Sequence, residues 1–370
     1  MRTVKWNAFL SGLCACGLVL GVVAAGAHAD VTTEKGASIL IFPKVRTNDT
    51  TDTIIQIANT GNSMVHARCF YVNASLTNII TGAPCTIPSL TCQPNWQETD
   101  FDIWLTKQQP THWLASTGRR VQVDNFGADG AGFDPGLVPP MFPFEGELKC
   151  VEVSDSDEPV TGNHLKGEAT LKTISGVNIG DVSKYNAIGI QGNPNAQPGN
   201  PLVLDGNVYD ACPAELIVNH SASGGSDPVA SEFAISSTVG TELTLVPCSE
   251  DFENQRPTSS TVQFLVYNEF EERFSASTTV TCYLSTELTN IDSPTSPDRS
   301  VFSAAVLGTD VASTLITPVA NTDGTQFAVV GVTERTLSIG SAQARAAYNI
   351  HTSGDLVPAS GPDQILLSEH

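Results

Sequence analysis

Along most of the chain apolar positions recur every second residue in short runs, and the runs are separated by Gly, Pro, Asn, Asp and Ser. That period predicts strands with one buried face. The clearest runs are SILIFPKV (38–45), DTIIQIAN (52–59), MVHARCFYV (64–72), GELKCVEV (146–153), LKGEATLKTI (165–174), TELTLVPC (241–248), TVQFLVYN (261–268), FSASTTVTCYL (274–284) and QFAVVGVT (326–333). Helical spacing is scarce. SAQARAAYNI (341–350) fits a helix best, and it too reads as a strand beside its neighbours. The expected class is all-β.

Two regions follow the same order. SILIFPKV leads through a polar turn into a strand ending at Asn59, a turn, and a strand carrying Cys69; TELTLVPC leads likewise to Asn268 and on to Cys282. This reads as one module used twice, with chance likeness between β segments as the competing reading. Between the copies, GIQGNPNAQPGNP (189–201) has the Gly, Pro and Asn content of a linker or long loop. The expected boundaries are 1–29 for a leader, 30–188 and 202–350 for the modules, and 351–370 for a tail.

The leader is read from Arg2 and Lys5, the apolar run from Phe9 to Ala25, and Ala27-His28-Ala29 as a cleavage signal. No later segment reaches the eighteen or so apolar residues that a spanning helix needs. The expectation is therefore a secreted or periplasmic protein, or one attached to the cell surface, without a membrane span. With 39 acidic against 18 basic residues and a formal charge of −21, the chain lacks the basic stripe that displaces counterions from nucleic acid. Extracellular or cell-surface proteins and glycans are the partners left.

Beyond the leader lie Cys69, Cys85, Cys92, Cys150, Cys212, Cys248 and Cys282, which in an exported chain read first as disulfides. Cys85 and Cys92 bracket a short loop and form the best pair; Cys69, Cys150, Cys248 and Cys282 are further candidates with open connectivity. An odd number leaves one thiol over.

The run IQIANTGNSMVHARCFYV followed by FDIWLTKQQ resembles extracellular immunoglobulin-like modules, in which an Asn-Thr-Gly turn (here Asn59, Thr60 and Gly61) joins two apolar strands and a later strand ends Leu-x-x-x-Gln (Leu105 and Gln109). The resemblance covers about 75 residues and the second copy lacks the turn. It implies two immunoglobulin-like β-sandwich modules in tandem, and no catalytic residues.

Candidate chemistry is sparse. If Phe101 to Thr106 is a strand, Asp102 and Trp104 share its polar face, and a four-residue hairpin loop at 107–110 would set Trp104 opposite Trp113. An exposed Trp104/Trp113 pair beside Asp102 would suit a sugar ring or a partner protein; an ordinary core is the competing reading. In VDNFGADGAGFDPG (123–136), Asp124, Asp129 and Asp134 offer oxygens of the kind calcium takes, without the spacing of a known calcium loop. SDSDE (154–158) reads as a solvated hairpin turn. No nucleophile elbow, zinc-protease helix motif or phosphate loop occurs. Asn48, Asn73 and Asn219 open glycosylation sequons. The expected function is a non-enzymatic structural or binding protein of adhesion type, with glycan binding or carbohydrate chemistry through the tryptophans, and calcium-dependent adhesion, as alternatives.

Overall fold

A computed structural model describes residues 31–85, 91–120, 133–356 and 358–368. The class is all-β, with 53% strand against 5% helix. The arrangement is not the expected tandem of immunoglobulin-like sandwiches: five sheets of three to five strands make, counted by sheets, a five-bladed β-propeller. The blades are not successive meanders, because each gathers strands far apart in the chain.

Sheet I runs in the order Ile188–Ile190, Ile39–Thr47, Phe144–Val153, Val65–Asn73, Gln97–Leu105, and sheet II runs Val182–Asn186, Leu165–Thr173, Thr51–Asn59, Pro110–Leu114. Sheet III is small, Leu202–Leu204 beside Asp363–Leu366 beside Glu250–Asp251. Sheet IV is Arg273–Thr281, Ser259–Asn268, Val311–Val319, Pro213–Ser221, His351–Asp355; sheet V is Leu284–Glu287, Thr238–Pro247, Val329–Ile339, Ala342–Asn349. The only parallel pairing between these strands joins Glu250–Asp251 to Asp363–Leu366. No helix among the described residues is long and apolar enough to cross a membrane.

The physical reason for the correction is that sheet I is buried on both faces. Leu40, Phe42, Tyr71 and Leu148 pack toward sheet II in one core, whereas Ile39, Ile41, Phe70, Val72 and Val151 pack with Leu202, Leu204, Val246 and Ile365 of sheets III and V in another. A two-layer sandwich leaves one face of each sheet to solvent, so independent modules cannot form this way. The stretch expected to be a linker, 189–201, begins inside the strand Ile188–Ile190 at the edge of sheet I, and the expected tail supplies strands to sheets III and IV. A further core lies between sheets IV and V, around Phe264, Phe302, Leu243 and Ile316.

Cysteine placement departs from the immunoglobulin pattern as well. Cys69 and Cys150 are directly opposed neighbours within sheet I and are bridged there, whereas the immunoglobulin disulfide ties two sheets together. Cys85 is joined to Cys92, and Cys212 to Cys248. Cys282, expected among the disulfide candidates, is instead a free, buried thiol whose pKa burial pushes well up, while Cys212 takes the place expected for it.

The two copied regions do share one device. The Asn59 side chain donates to the carbonyls of Ser63, Leu105 and Thr106 and accepts from Gly61 N–H; Asn268 donates to Leu307 O and accepts from the N–H groups of Phe270 and Glu272. Each buried amide closes the turn after its strand by satisfying groups that would otherwise be orphaned. The likeness ends there: the strand after Asn59 returns to sheet I, but the strand after Asn268 stays beside its predecessor in sheet IV.

Buried charge predicts a bell-shaped stability profile. Burial opposes ionisation of Glu242 and Glu334, yet Lys44, with Arg46 at Glu242, holds both carboxyls below their usual range. Their contribution is complete above the unfolded value of about 4.3 and is lost as pH falls through the folded values. Asp363 and Glu98 behave oppositely, since burial raises them to about 6 and about 7. Their contribution is lost as pH rises through those values. Urea midpoints should therefore be highest near pH 5, lower at pH 8, and falling again below about pH 4; Glu334→Gln should flatten the acid limb.

Candidate functional site

Trp113 and Trp104 do not form a pair. Gln97–Leu105 belongs to sheet I and Pro110–Leu114 to sheet II, so the turn between them crosses from one sheet to the other. Gln109 organises that turn by accepting from Thr106 N–H at 2.8 Å through its side chain. Trp113 lies in the core between the sheets, 2% exposed, with its indole N–H donating to Tyr71 Oη at 2.8 Å and its ring edge-on to Phe101. The expected aromatic platform therefore does not exist.

Trp104 is half-buried on the other face and sits opposite His66 in the neighbouring strand. Their rings are stacked at 3.8 Å with 7° between planes. His66 Nε2 is 3.0 Å from Asp102 Oδ1, while Nδ1 is 3.0 Å from Ser154 O and 3.5 Å from Asp157 Oδ1. Burial lowers the His66 pKa, but the hydrogen bonds to Asp102 and Ser154 and the two carboxylate charges outweigh it and raise the value overall. Trp104 and Asp102 are thus part of a cluster whose centre, His66, was not among the sequence candidates. Nothing in MVHARCFYV marks His66, because its partners come from strands and a turn 36 to 91 positions away.

SDSDE does form a tight turn, closed by Ser154 N–H to Glu158 O at 2.8 Å and flanked by an antiparallel bridge between Val153 and Pro159, but the strands expected on either side, Phe144–Val153 and Leu165–Thr173, lie in sheets I and II and do not pair. Of the calcium candidates, Asp124 and Asp129 lie outside the described residues. Asp134 is engaged by the Arg119 guanidinium and by Gly136 N–H at 2.9 Å, with a side chain only 7% exposed. A carboxylate so placed braces a loop. Among the sequons, Asn48 and Asn73 use their side-chain oxygens to accept backbone N–H groups, whereas Asn219 is exposed.

Asn219 lines a cleft of about 550 Å³ at the end of sheet IV. Tyr267, Asn268 and Glu269 form one side and Arg335 and Tyr348 of sheet V the other. Tyr348 Oη donates to Asn219 O at 3.1 Å, which fixes its ring across the opening. Arg335 pairs at 2.6 Å with Asp227, and that carboxylate also caps the helix Pro228–Glu232 by accepting from Ala230 N–H. His220, at the floor, is pushed down by burial to about 4 and meets Thr314 Oγ1 at 2.8 Å. It is therefore neutral at physiological pH. The volume is that of a small-ligand pocket, mostly apolar with a few oriented polar groups.

No protein-family model matches the chain, and no curated protein matches it either.

The separation of the tryptophans is directly measurable. A variant that keeps only Trp113, with Trp6, Trp96 and Trp104 replaced by Phe, should emit in the blue and resist acrylamide, as an indole in a core does. A variant that keeps only Trp104 should be quenched more readily.

Proposed function

We propose that the protein is an exported, non-enzymatic binding component of adhesion type, acting outside the cytoplasm on an extracellular or cell-surface glycan or protein. The observation that carries this reading is the cleft at the end of sheet IV, where a rigid frame presents Tyr267, Tyr348, Asn219 and Glu269 to solvent. Its ionisable lining is arranged to hold and not to react. His220 is kept neutral beside Thr314, and the Arg335 charge is answered by Asp227. General acid–base work would instead need a group poised near the working pH and within reach of a substrate. Three disulfides support an oxidising compartment.

Within this reading a glycan is the favoured ligand class. Two tyrosine rings offer flat apolar area with polar tips, and the Asn219 amide and Glu269 carboxylate suit hydroxyl groups. The tryptophan-pair version of glycan binding is withdrawn, since Trp113 is core.

Isothermal calorimetry with neutral oligosaccharides is the test. Saturable binding is expected, weakened roughly tenfold or more by Tyr267→Ala, as for loss of an aromatic anchor. Turnover of glycans, esters or peptides that disappears on replacing one carboxylate or serine would overturn the non-enzymatic reading.

A further inference from the structure

The geometry points to a divalent transition-metal site formed by His66 Nδ1, the Ser154 carbonyl and the Asp157 carboxylate, with Asp102 as the carboxylate that orients the imidazole. It lies on sheet I, away from the cleft, and is independent of the proposed binding role.

Three observations carry it. First, the His66 ring is locked: its side chain is 4% exposed, one face lies on Trp104, and Nε2 meets Asp102 at 3.0 Å. A carboxylate on one imidazole nitrogen fixes the tautomer that leaves the other nitrogen's lone pair for a metal, the arrangement found around zinc. Second, two oxygens of different kinds converge on that other nitrogen, Ser154 O at 3.0 Å and Asp157 Oδ1 at 3.5 Å. Ligands bound at about 2.0–2.2 Å in octahedral or tetrahedral geometry stand roughly 2.9–3.5 Å apart, so both separations match edges of a coordination polyhedron. Asp157 N–H donates to Ser154 O at 3.1 Å, so one turn carries both oxygens to the ring. Third, the site is open on one side. The Asp157 side chain is 41% exposed, leaving room for an ion to enter and for water to complete its shell. The three side chains His66, Asp102 and Asp157 all offer ligand atoms within 4.8 Å of one another.

The donor set names the ion class. Calcium and magnesium take oxygen-only shells, whereas an imidazole nitrogen with carboxylate and carbonyl oxygens suits zinc and its first-row neighbours.

The experiment uses the full folded protein, stripped with a chelator and titrated with Zn²⁺ by calorimetry, with melting temperature and Co²⁺ absorption as parallel readouts. One equivalent should bind and raise the melting temperature by mass action. Asp157→Asn, on an open turn where folding is not at stake, should abolish saturable binding. Asp102→Asn should keep it but weaken it about 10- to 100-fold, the size typical of an orienting partner. His112→Ala/His351→Ala, which removes exposed imidazoles elsewhere, should bind as the native protein does. Absence of saturable Zn²⁺ binding by the native protein, or its persistence in Asp157→Asn, would overturn the site and leave His66 as a ring hydrogen-bonded on both sides. Calcium binding that depends on Asp157 would overturn the assigned ion class.

Discussion

Everything in this fold depends on how sheet I, buried on both faces, disposes of its charged side chains. Lys44 lies fully buried in its first long strand, 3.0 Å from Glu242 and 2.8 Å from Glu334 of sheet V; Arg46, two residues on, reaches Glu145 and the same Glu242. Lys149, also fully buried, meets Glu147, Glu250 and Pro247 O at 3.0–3.1 Å. Removing an ammonium from water costs several kcal/mol, and the attraction of its partners offsets this only with good geometry and saturated hydrogen bonding. Here Ser183 donates to Glu334 and Ser285 to Glu242, which adds bonds to those two carboxylates, while Arg46 Nε and Glu147 Oε2 stay buried without a hydrogen-bond partner among the described residues. Burial and the neighbouring Glu250 push the Glu147 carboxyl well up against the pull of Lys149.

The consequence is less about net stability than about uniqueness. An apolar interface of the same area could slide by one residue pair, but Lys44 and Lys149 each fit only where their carboxylates converge. Removing one member would strand the others in low dielectric, a loss on the order of 3–5 kcal/mol. The two halves of the chain are therefore registered against each other by charge, and the disulfides act locally within each half. Asn59 and Asn268 extend the logic to the turns, where one buried amide saturates several backbone groups at once.

Strand positions were legible wherever one face is wet. TVQFLVYN alternates in sequence, and Ser259–Asn268 alternates in burial. The strands of sheet I do not behave so: Val65–Asn73 is buried at every position but the last, and a run such as HARCFYV gives no period from which to assign faces. Lys44 and Lys149 look like surface residues because the carboxylates that neutralise them lie up to 290 positions away. The repeated strand order and the immunoglobulin resemblance point to two sandwiches, each with a solvent face, where the fold has a second core against sheet I. The tryptophan pair fails for a related reason, since the four-residue hairpin loop expected at 107–110 falls where the chain changes sheets. Asp102 and Trp104 were rightly placed on one face, but the histidine they serve belongs to another strand.

Both sites sit where strands end, the first on sheet I, which is covered on both sides and leaves only its ends and edges for chemistry, and the second on sheet IV. His66 is the second residue of its strand, just past the turn held by Asn59, and its partners come from the adjoining edge strand and from the turn that leaves sheet I after Val153. The cleft opens beside the turn held by Asn268, with Tyr267 immediately before it. In each case a buried asparagine fixes the backbone next to the site, so its side chains are held before any ligand arrives. Ordering that is met during folding need not be met again on binding. The buried asparagines thus let small clusters at the sheet ends keep a defined geometry.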